Sequence, residues 1–278
     1  MGVLICDCTL IIKDSSSEAC CQAIRGNFRS FLRTYGSYPD RVFWDRDDMV
    51  LLSHGLPHHY GNGVYFTQFN EDEANKKIEN AIEFFSERNV PFLWFVDPET
   101  KPEDMPSRLT KHGLQNVGEY KAMASNLNTI KNQLGEPTGF EIKQVKNKSD
   151  MKTFWNIWYR GYEYPEFLYD NFYETSIKKK IRHPDRQLYI GYLEGKPVAT
   201  SHLLMGGGAA GLWWVTVLPE ARGKGIGTFI SQWTIMKGKD NGYKLSTLYS
   251  TEMGHPIYKK IGFQDYFSAQ IYLWMPKI

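Results

Sequence analysis

Val217-Leu218-Pro219-Glu220-Ala221-Arg222-Gly223-Lys224-Gly225-Ile226-Gly227-Thr228 is the stretch of this 278-residue chain on which its fold turns. Residues 209–217 before it are rich in apolar and β-branched side chains. After it, Ile226, Phe229, Ile230, Trp233 and Met236 fall on one helical stripe. A strand therefore hands over to an amphipathic helix across a glycine-rich turn. The first N–H groups of a helix have no carbonyl partner inside it, and glycines let the preceding chain curl so that these donors face one concavity. Such a concavity suits a diphosphate. The helix dipole adds roughly 0.3–1 kcal/mol per favourable charge, and Arg222 and Lys224 add ordinary attraction.

Two familiar phosphate loops fail on spacing. A Walker loop needs Gly-x-x-x-x-Gly-Lys-Ser/Thr, whereas Lys224 stands between glycines two apart with no hydroxyl after it. A dinucleotide fingerprint needs Gly-x-Gly-x-x-Gly, whereas Gly223, Gly225 and Gly227 alternate.

Outward from the loop, 188–193, 198–205 and 209–217 read as a strand meander turning at Glu194-Gly195-Lys196-Pro197 and at Gly206-Gly207-Gly208. Upstream lie a strand at 140–145, a helix capped by Ser149 and a helix at 167–181. Downstream, Asn241-Gly242 stops the long helix, 244–249 is a strand, 254–261 a short helix and 265–274 a closing strand. The first half reads similarly: strands at 49–52 and 64–69, a helix opened by Asn70-x-x-Glu73 with Ile78, Ala81, Ile82 and Phe85 on one face, a strand at 91–96, a helix at 104–112 and a strand at 119–125. Leu109-Thr110-Lys111-His112-Gly113-Leu114-Gln115 runs parallel to Tyr258-Lys259-Lys260-Ile261-Gly262-Phe263-Gln264, in the same order of elements. Two copies of one α/β fold with a mixed sheet follow. Their expected bounds are 1–125, a polar connector at 126–138, and 139–278.

The C-terminal half resembles the GNAT superfamily of N-acetyltransferases. Its pattern Arg/Gln-x-x-Gly-x-Gly/Ala after a strand is met by Arg222, Gly225 and Gly227, and its tyrosine before a Gly-Phe pair by Tyr258, Gly262 and Phe263. The resemblance covers roughly 140–274 and implies tandem GNAT-like acyl-CoA N-acyltransferase domains. It implies acetyl-CoA as co-substrate, with its pyrophosphate on Arg222, Gly223, Lys224, Gly225, Ile226, Gly227 and Thr228. The pantetheine would then pair with the strand edge at Val215, Thr216 and Val217. A primary amine of a small molecule or peptide would attack the thioester in one ternary complex, and Tyr258 would protonate the departing thiolate. A non-catalytic CoA-binding module and transfer of a longer acyl or aminoacyl group are the alternatives.

The chain departs from the family where some members carry a glutamate base: Gly211-Leu212-Trp213-Trp214 has no carboxylate. His202, Glu163, Glu166 or a water chain remain candidates for the base. Thr251 and Gly254 replace the family's Asn and Ala before the tyrosine. Aromatic residues crowd 155–173, above the acceptor site that the family implies, and read as core packing or as a surface for an apolar amine. In the first half, Gln68-Phe69-Asn70-Glu71-Asp72-Glu73 is acidic and Leu109 replaces the tyrosine. That half is expected to lack the coenzyme loop and to support its partner or shape its acceptor cleft. His54, His58 and His59 offer no obvious fourth ligand, so no metal is expected.

Composition narrows the field. With 42% apolar residues the chain can fill folded cores, and a net charge of +2 lacks the excess that polyanion binding or an anionic membrane requires. The apolar start has no preceding basic residue and is broken by Asp7, which makes a poor secretory signal. Cys6, Cys8, Cys20 and Cys21 form neither bridging nor zinc-knuckle spacings and read as reduced thiols of a cytoplasmic protein.

Overall fold

A computed structural model describes residues 11–38, 40–130, 135–178 and 185–276. In chain order its elements are α1 (Ser17–Gly36), β1 (Val42–Asp45), β2 (Val50–Ser53), β3 (Gly63–Tyr65), α2 (Ala74–Ser86), β4 (Phe92–Val96), α3 (Met105–Lys111) and β5 (Gln115–Asn126). They continue with β6 (Phe140–Gln144), α4 (Lys148–Gly161), α5 (Glu166–Lys178), β7 (Arg186–Leu193), β8 (Lys196–Gly206), β9 (Ala209–Val217), α6 (Ile226–Asp240), β10 (Leu245–Ser250), α7 (His255–Ile261) and β11 (Gln264–Trp274). Cys6, Cys8 and the end of the helix expected at 167–181 lie outside the described residues.

The chain divides into two compact units. One comprises the described part of Met1–Phe31 with Met123–Tyr266, the other Leu32–Ala122 with Phe267–Ile278. Within the connector expected at 126–138, Leu127 and Ile130 are buried in the core of the first unit.

In the first unit, β6 to β9 form an antiparallel meander and β10 joins β9 in parallel. Gly207 and Gly208 both take positive φ at the β8–β9 turn, as their sequence predicts. Helix α6 lies against β8 and β9, and its buried face is Ile226, Ile230, Ser231, Thr234, Ile235 and Gly238. Phe229, Trp233 and Met236 of the expected stripe are only half-buried. Small and hydroxyl side chains bring α6 close. A Cβ at Gly238 would run into that of Ala210, and Ser201 Oγ and Thr234 Oγ1 share a buried hydrogen bond of 2.6 Å.

The second unit contains β1 to β4 in sequence order, β3 and β4 being parallel. The end of β11 is antiparallel to β4 from Gln270↔Val96 to Trp274↔Phe92. Its core holds Ile78, Ala81, Phe85, Phe92 and Trp94, with the Phe85 and Phe92 rings stacked at 4.2 Å.

Three local expectations change. Helix α1 carries the vicinal cysteines, and its Ala19, Cys20, Ala23, Ile24, Asn27, Phe28 and Phe31 are buried at helical spacing. Asn147, not Ser149, caps α4, its side chain accepting from Asp150 N–H at 2.9 Å. Asn70-x-x-Glu73 forms no capping box: α2 starts one turn later, and Glu73 pairs with Lys77 instead. The seven-residue internal likeness is a shared helix stop. Gly113 and Gly262 are left-handed, and the residue after each donates back, Leu114 N–H to Leu109 O and Phe263 N–H to Tyr258 O, both at 3.0 Å.

Candidate active site

Strands β9 and β10 pair only at Ser246↔Ala210 and Thr247↔Gly211, so β9 leaves its neighbour beyond Gly211. A bulge accompanies the departure. The β8–β9 register shifts between Thr200 and His202, Trp214 takes φ 50°, and Thr200 Oγ1 donates to Trp214 O at 2.9 Å. Leu218 N–H bonds Val198 O at 2.9 Å, so alternate residues 218 and 216 face β8 while Val215 and Val217 turn their backbone groups to the open edge. Strand β9 is thus splayed from its parallel neighbour.

Past β9, Pro219–Ala221 make one 3-10 turn, and Arg222 to Gly225 run exposed into α6. Gly223 and Gly225 sit at φ 78° and 77°, the left-handed region that favours glycine. A Cβ built on either meets nothing within 4 Å, so both stand against open space. The first N–H here to find a carbonyl is that of Phe229, on Gly225 O at 3.0 Å. No carbonyl among the described residues takes the N–H groups of 223–228. Gly227 differs: its φ is ordinary, and a Cβ would make normal contacts at 3.6 Å with Ile257 and Val217.

Arg222 takes a structural post. Its Nε donates to Val217 O and its Nη2 to Gly161 O, both at 3.0 Å, tying the strand end to the end of α4. Arg222 thus holds the loop in shape, whereas Lys224 remains an exposed charge. Gly161 packs hard on β9, for a Cβ there would run into Thr216 Cγ2. Thr216 itself is buried, and its Oγ1 has no hydrogen-bond partner.

Tyr258 is half-buried on α7 with its ring edge-on to Phe263 at 6.0 Å. Burial, and then the Tyr162 phenol nearby, push its own phenol above the ordinary range. No described residue hydrogen-bonds its hydroxyl. Gly254 explains one departure from the family pattern, because a Cβ there would come within 2.8 Å of the Tyr258 ring.

Residues 184–265 match the family model of an acetyltransferase (GNAT) domain. That stretch is similar to the acetyltransferase domains of the GNAT family. The whole fold is similar to solved structures at low identity. A GCN5-related N-acetyltransferase from Kribbella flavida superposes with TM-score 0.70 at 16% identity, covering 96% of this chain and 97% of that one. One from Sphaerobacter thermophilus gives 0.64 at 14% over 90% and 86%. A tandem GNAT protein from the clavulanic acid biosynthesis pathway gives 0.57 at 11% over 97% and 98%. No curated protein matches the sequence. The chain therefore has a tandem GNAT fold.

The candidate bases scatter. His202 is 1% exposed, tilted against Trp214 at 4.5 Å, with neither ring nitrogen hydrogen-bonded. Burial, and then Arg186, hold it well below its usual range, so it is neutral. Glu163 sits at φ 57° in the turn after α4, and Glu166 is exposed at the start of α5. The aromatic residues split in two. Trp155, Trp158 and Phe172 are core, while Tyr162 and Phe167 are exposed, at 36% and 39%.

The first half of the chain uses its loop donors internally. Gln68 N–H goes to Asp48 O at 2.8 Å and Phe69 N–H to Lys101 O at 3.1 Å, while Glu73 and Ala74 N–H both go to Asn70 O. The cleft beside this loop, about 570 Å³, is lined by Phe69, Glu71, Lys101, Glu103, Asp104 and Arg108. Its cations are already paired, Lys101 with Glu103 at 2.9 Å and Arg108 with Asp104 at 2.7 Å. The His58 and His59 rings stack at 4.3 Å, and His54 is buried. No helix among the described residues is long and apolar enough to cross a membrane.

Proposed function

We propose that the GNAT domain is an N-acetyltransferase that moves the acetyl group of acetyl-CoA to a primary amine of a small molecule or peptide, by direct attack within one ternary complex. The observation that carries this reading is the run of unpartnered N–H groups at 223–228, set on an open loop beside the splayed edge of β9. Acetyl-CoA supplies the activated acyl carbon and a thiolate leaving group. A C–N bond forms, the C–S bond breaks, the amine loses a proton and the sulfur gains one.

The chain's own groups divide the work. The N–H groups of 223–228 hold the anionic diphosphate in a fixed cradle, with Arg222 bracing it and Lys224 adding charge. The edge of β9 at Val215 and Val217 pairs with amide groups. Because its pKa is raised, Tyr258 keeps its proton through the neutral range. It is thus suited to donate at the departing sulfur and unsuited to take a proton from the amine. The unit of Leu32–Ala122 with Phe267–Ile278 is a GNAT-like copy without a coenzyme loop.

Calorimetry with acetyl-CoA tests the cradle. Saturable heat is expected, with loss in a variant carrying Arg222→Glu and Gly225→Asp; no heat from the wild type removes the assignment. Tyr258→Phe should lower turnover about 10²- to 10⁴-fold while leaving coenzyme affinity intact. Binding without thiol release for any amine, peptide or aminoglycoside would make the domain a non-catalytic CoA-binding module. Release from longer acyl or aminoacyl donors would widen the donor class.

A further inference from the structure

The open edge of β9 carries two acceptors, and side chains hold both. Val217 O receives Arg222 Nε at 3.0 Å, and the same guanidinium is anchored a second time on Gly161 O. Val215 O receives the hydroxyl of Tyr162 at 3.3 Å. These bonds differ in strength. Arg222 makes charge-assisted bonds of ordinary length to two carbonyls, whereas the bond of Tyr162 to Val215 O is long and neutral, from a side chain in contact with solvent.

The backbone beneath Tyr162 is fixed. Glu163 N–H donates to Arg160 O at 3.2 Å and Tyr164 N–H to Tyr159 O at 2.8 Å, a complete helix stop around the left-handed Glu163. The Tyr162 ring lies stacked on Tyr164 at 5.4 Å, and its phenol is near enough to Tyr258 to raise that group. A ligand N–H that takes the strand-edge direction at the Val215 carbonyl displaces the Tyr162 hydroxyl by side-chain rotation, without moving the helix end.

We propose that Tyr162 is a place-holder. Its hydroxyl occupies the strand-edge position of a pantetheine amide N–H at Val215 O, and it swings away when the coenzyme arm enters. The inference rests on the acetyl-CoA reading of the cradle, and it makes Tyr162 a residue that sets coenzyme affinity by competing with the coenzyme.

Titration of the full chain with acetyl-CoA and with adenosine 3′-phosphate 5′-diphosphate, which keeps the diphosphate and lacks the pantetheine arm, separates the two ideas. The wild type should bind both. Tyr162→Phe keeps the stacked ring and removes the competing donor, so acetyl-CoA should bind about two- to tenfold more tightly, the range one neutral hydrogen bond commands. The nucleotide without the arm should bind as before. An unchanged unfolding transition certifies the fold of the variant. If the wild type binds acetyl-CoA and Tyr162→Phe binds it equally or more weakly, or tightens both ligands alike, the place-holder is wrong while the cradle stands. If the wild type binds neither ligand, the cradle reading falls and takes this one with it.

Discussion

Gly225 and Gly227 stand two residues apart in the same loop, yet alanine should have opposite effects on them. At Gly225, φ 77° and ψ −2° place the residue in the left-handed region, and a Cβ would meet nothing within 4 Å, so the cost lies wholly in the backbone. For an L-residue that cost is roughly 1–2 kcal/mol. A domain of about 150–250 residues loses about 2–4 °C of melting temperature per kcal/mol, so Gly225→Ala should melt lower by about 2–8 °C. Any relaxation of φ also turns the 226–228 donors away from their common focus. Losing one charge-assisted bond should then weaken acetyl-CoA binding by about tenfold or more. Gly227 lies inside α6, where a Cβ would touch Ile257 and Val217 at 3.6 Å, an ordinary contact. There alanine should stabilise by about 0.5–1 kcal/mol through helix propensity and leave binding within about twofold. Thermal unfolding and calorimetry on both variants decide the matter. Equal melting points and equal affinities would refute the claim that the loop's left-handed geometry creates the cradle.

Asn27 of α1 is fully buried. Its Nδ2 donates to Leu204 O, Gly206 O and Ala209 O at 2.9–3.2 Å, and its Oδ1 accepts Trp213 Nε1 at 2.9 Å. Asn27→Asp sets a carboxylate against three carbonyls and should cost about 3–5 kcal/mol in urea unfolding, more than Asn27→Ala; equal or negligible losses would show that this clamp does not hold the β8–β9 turn. Burial first, and then Arg41, push His54 down to about 3 in the folded chain, against 6.5 in its absence. The unfolded chain therefore takes up the proton first as pH falls. The His54 contribution is whole above pH 6.5 and fades by about 1.4 kcal/mol per pH unit towards pH 3, about 2 kcal/mol being lost by pH 5. Denaturant unfolding at pH 7.5 and pH 5 should show that loss, and His54→Gln should reduce it; an undiminished slope would place the acid sensitivity elsewhere. Glu163→Gly relieves a left-handed glutamate at the stop of α4 and should raise stability by up to about 1 kcal/mol. A lower melting temperature would mean that the carboxylate makes a compensating interaction.

Much of this was legible because glycine and period are local signals. The turn at Gly207 and Gly208, the 223–228 loop and the stops at Gly113 and Gly262 each demand backbone angles that the residue type announces. Other features depend on partners distant in sequence. Arg222 beside a phosphate loop reads as an anion ligand. Only the meeting of Gly161 O and Val217 O, set by α4 and β9, shows it as a brace. The buried face of α6 departs from the apolar stripe for the same reason. Ser231, Thr234 and Gly238 look polar or weak in sequence, yet they are what lets the helix approach Ala210 and Ser201. Helix α1 carried a helical apolar period throughout, but vicinal cysteines invite a reading about redox and metals before one about periodicity. Tyr162 had no sequence signal of its own among so many aromatic neighbours; its bond to Val215 O exists only through the tertiary fold.

The two copies of the fold show why topology alone does not make a coenzyme site. In both, a strand leads through a turn to a helix, and a short helix with a glycine stop precedes a long strand. What differs is where the turn's donors go. Between β3 and α2 the chain has no glycine from 66 to 73, and the donors of Gln68, Phe69, Glu73 and Ala74 are spent on Asp48, Lys101 and Asn70 carbonyls. Three consecutive carboxylates, Glu71, Asp72 and Glu73, stand where a diphosphate would lie. Replacing those acids alone would remove repulsion without freeing a single bonded N–H. In the other copy, left-handed glycines at 223 and 225 carry the chain past every nearby carbonyl, leaving the donors of 223–228 without a carbonyl partner at the end of a stretch, 222–225, that is exposed. An unpaired N–H that water can reach costs the fold little, and it is available to an anion that binds it better than water does. The capacity to hold a nucleotide tail therefore resides in the bonds this loop declines to make, a property that a few substitutions can erase while the surrounding sheet and helices persist.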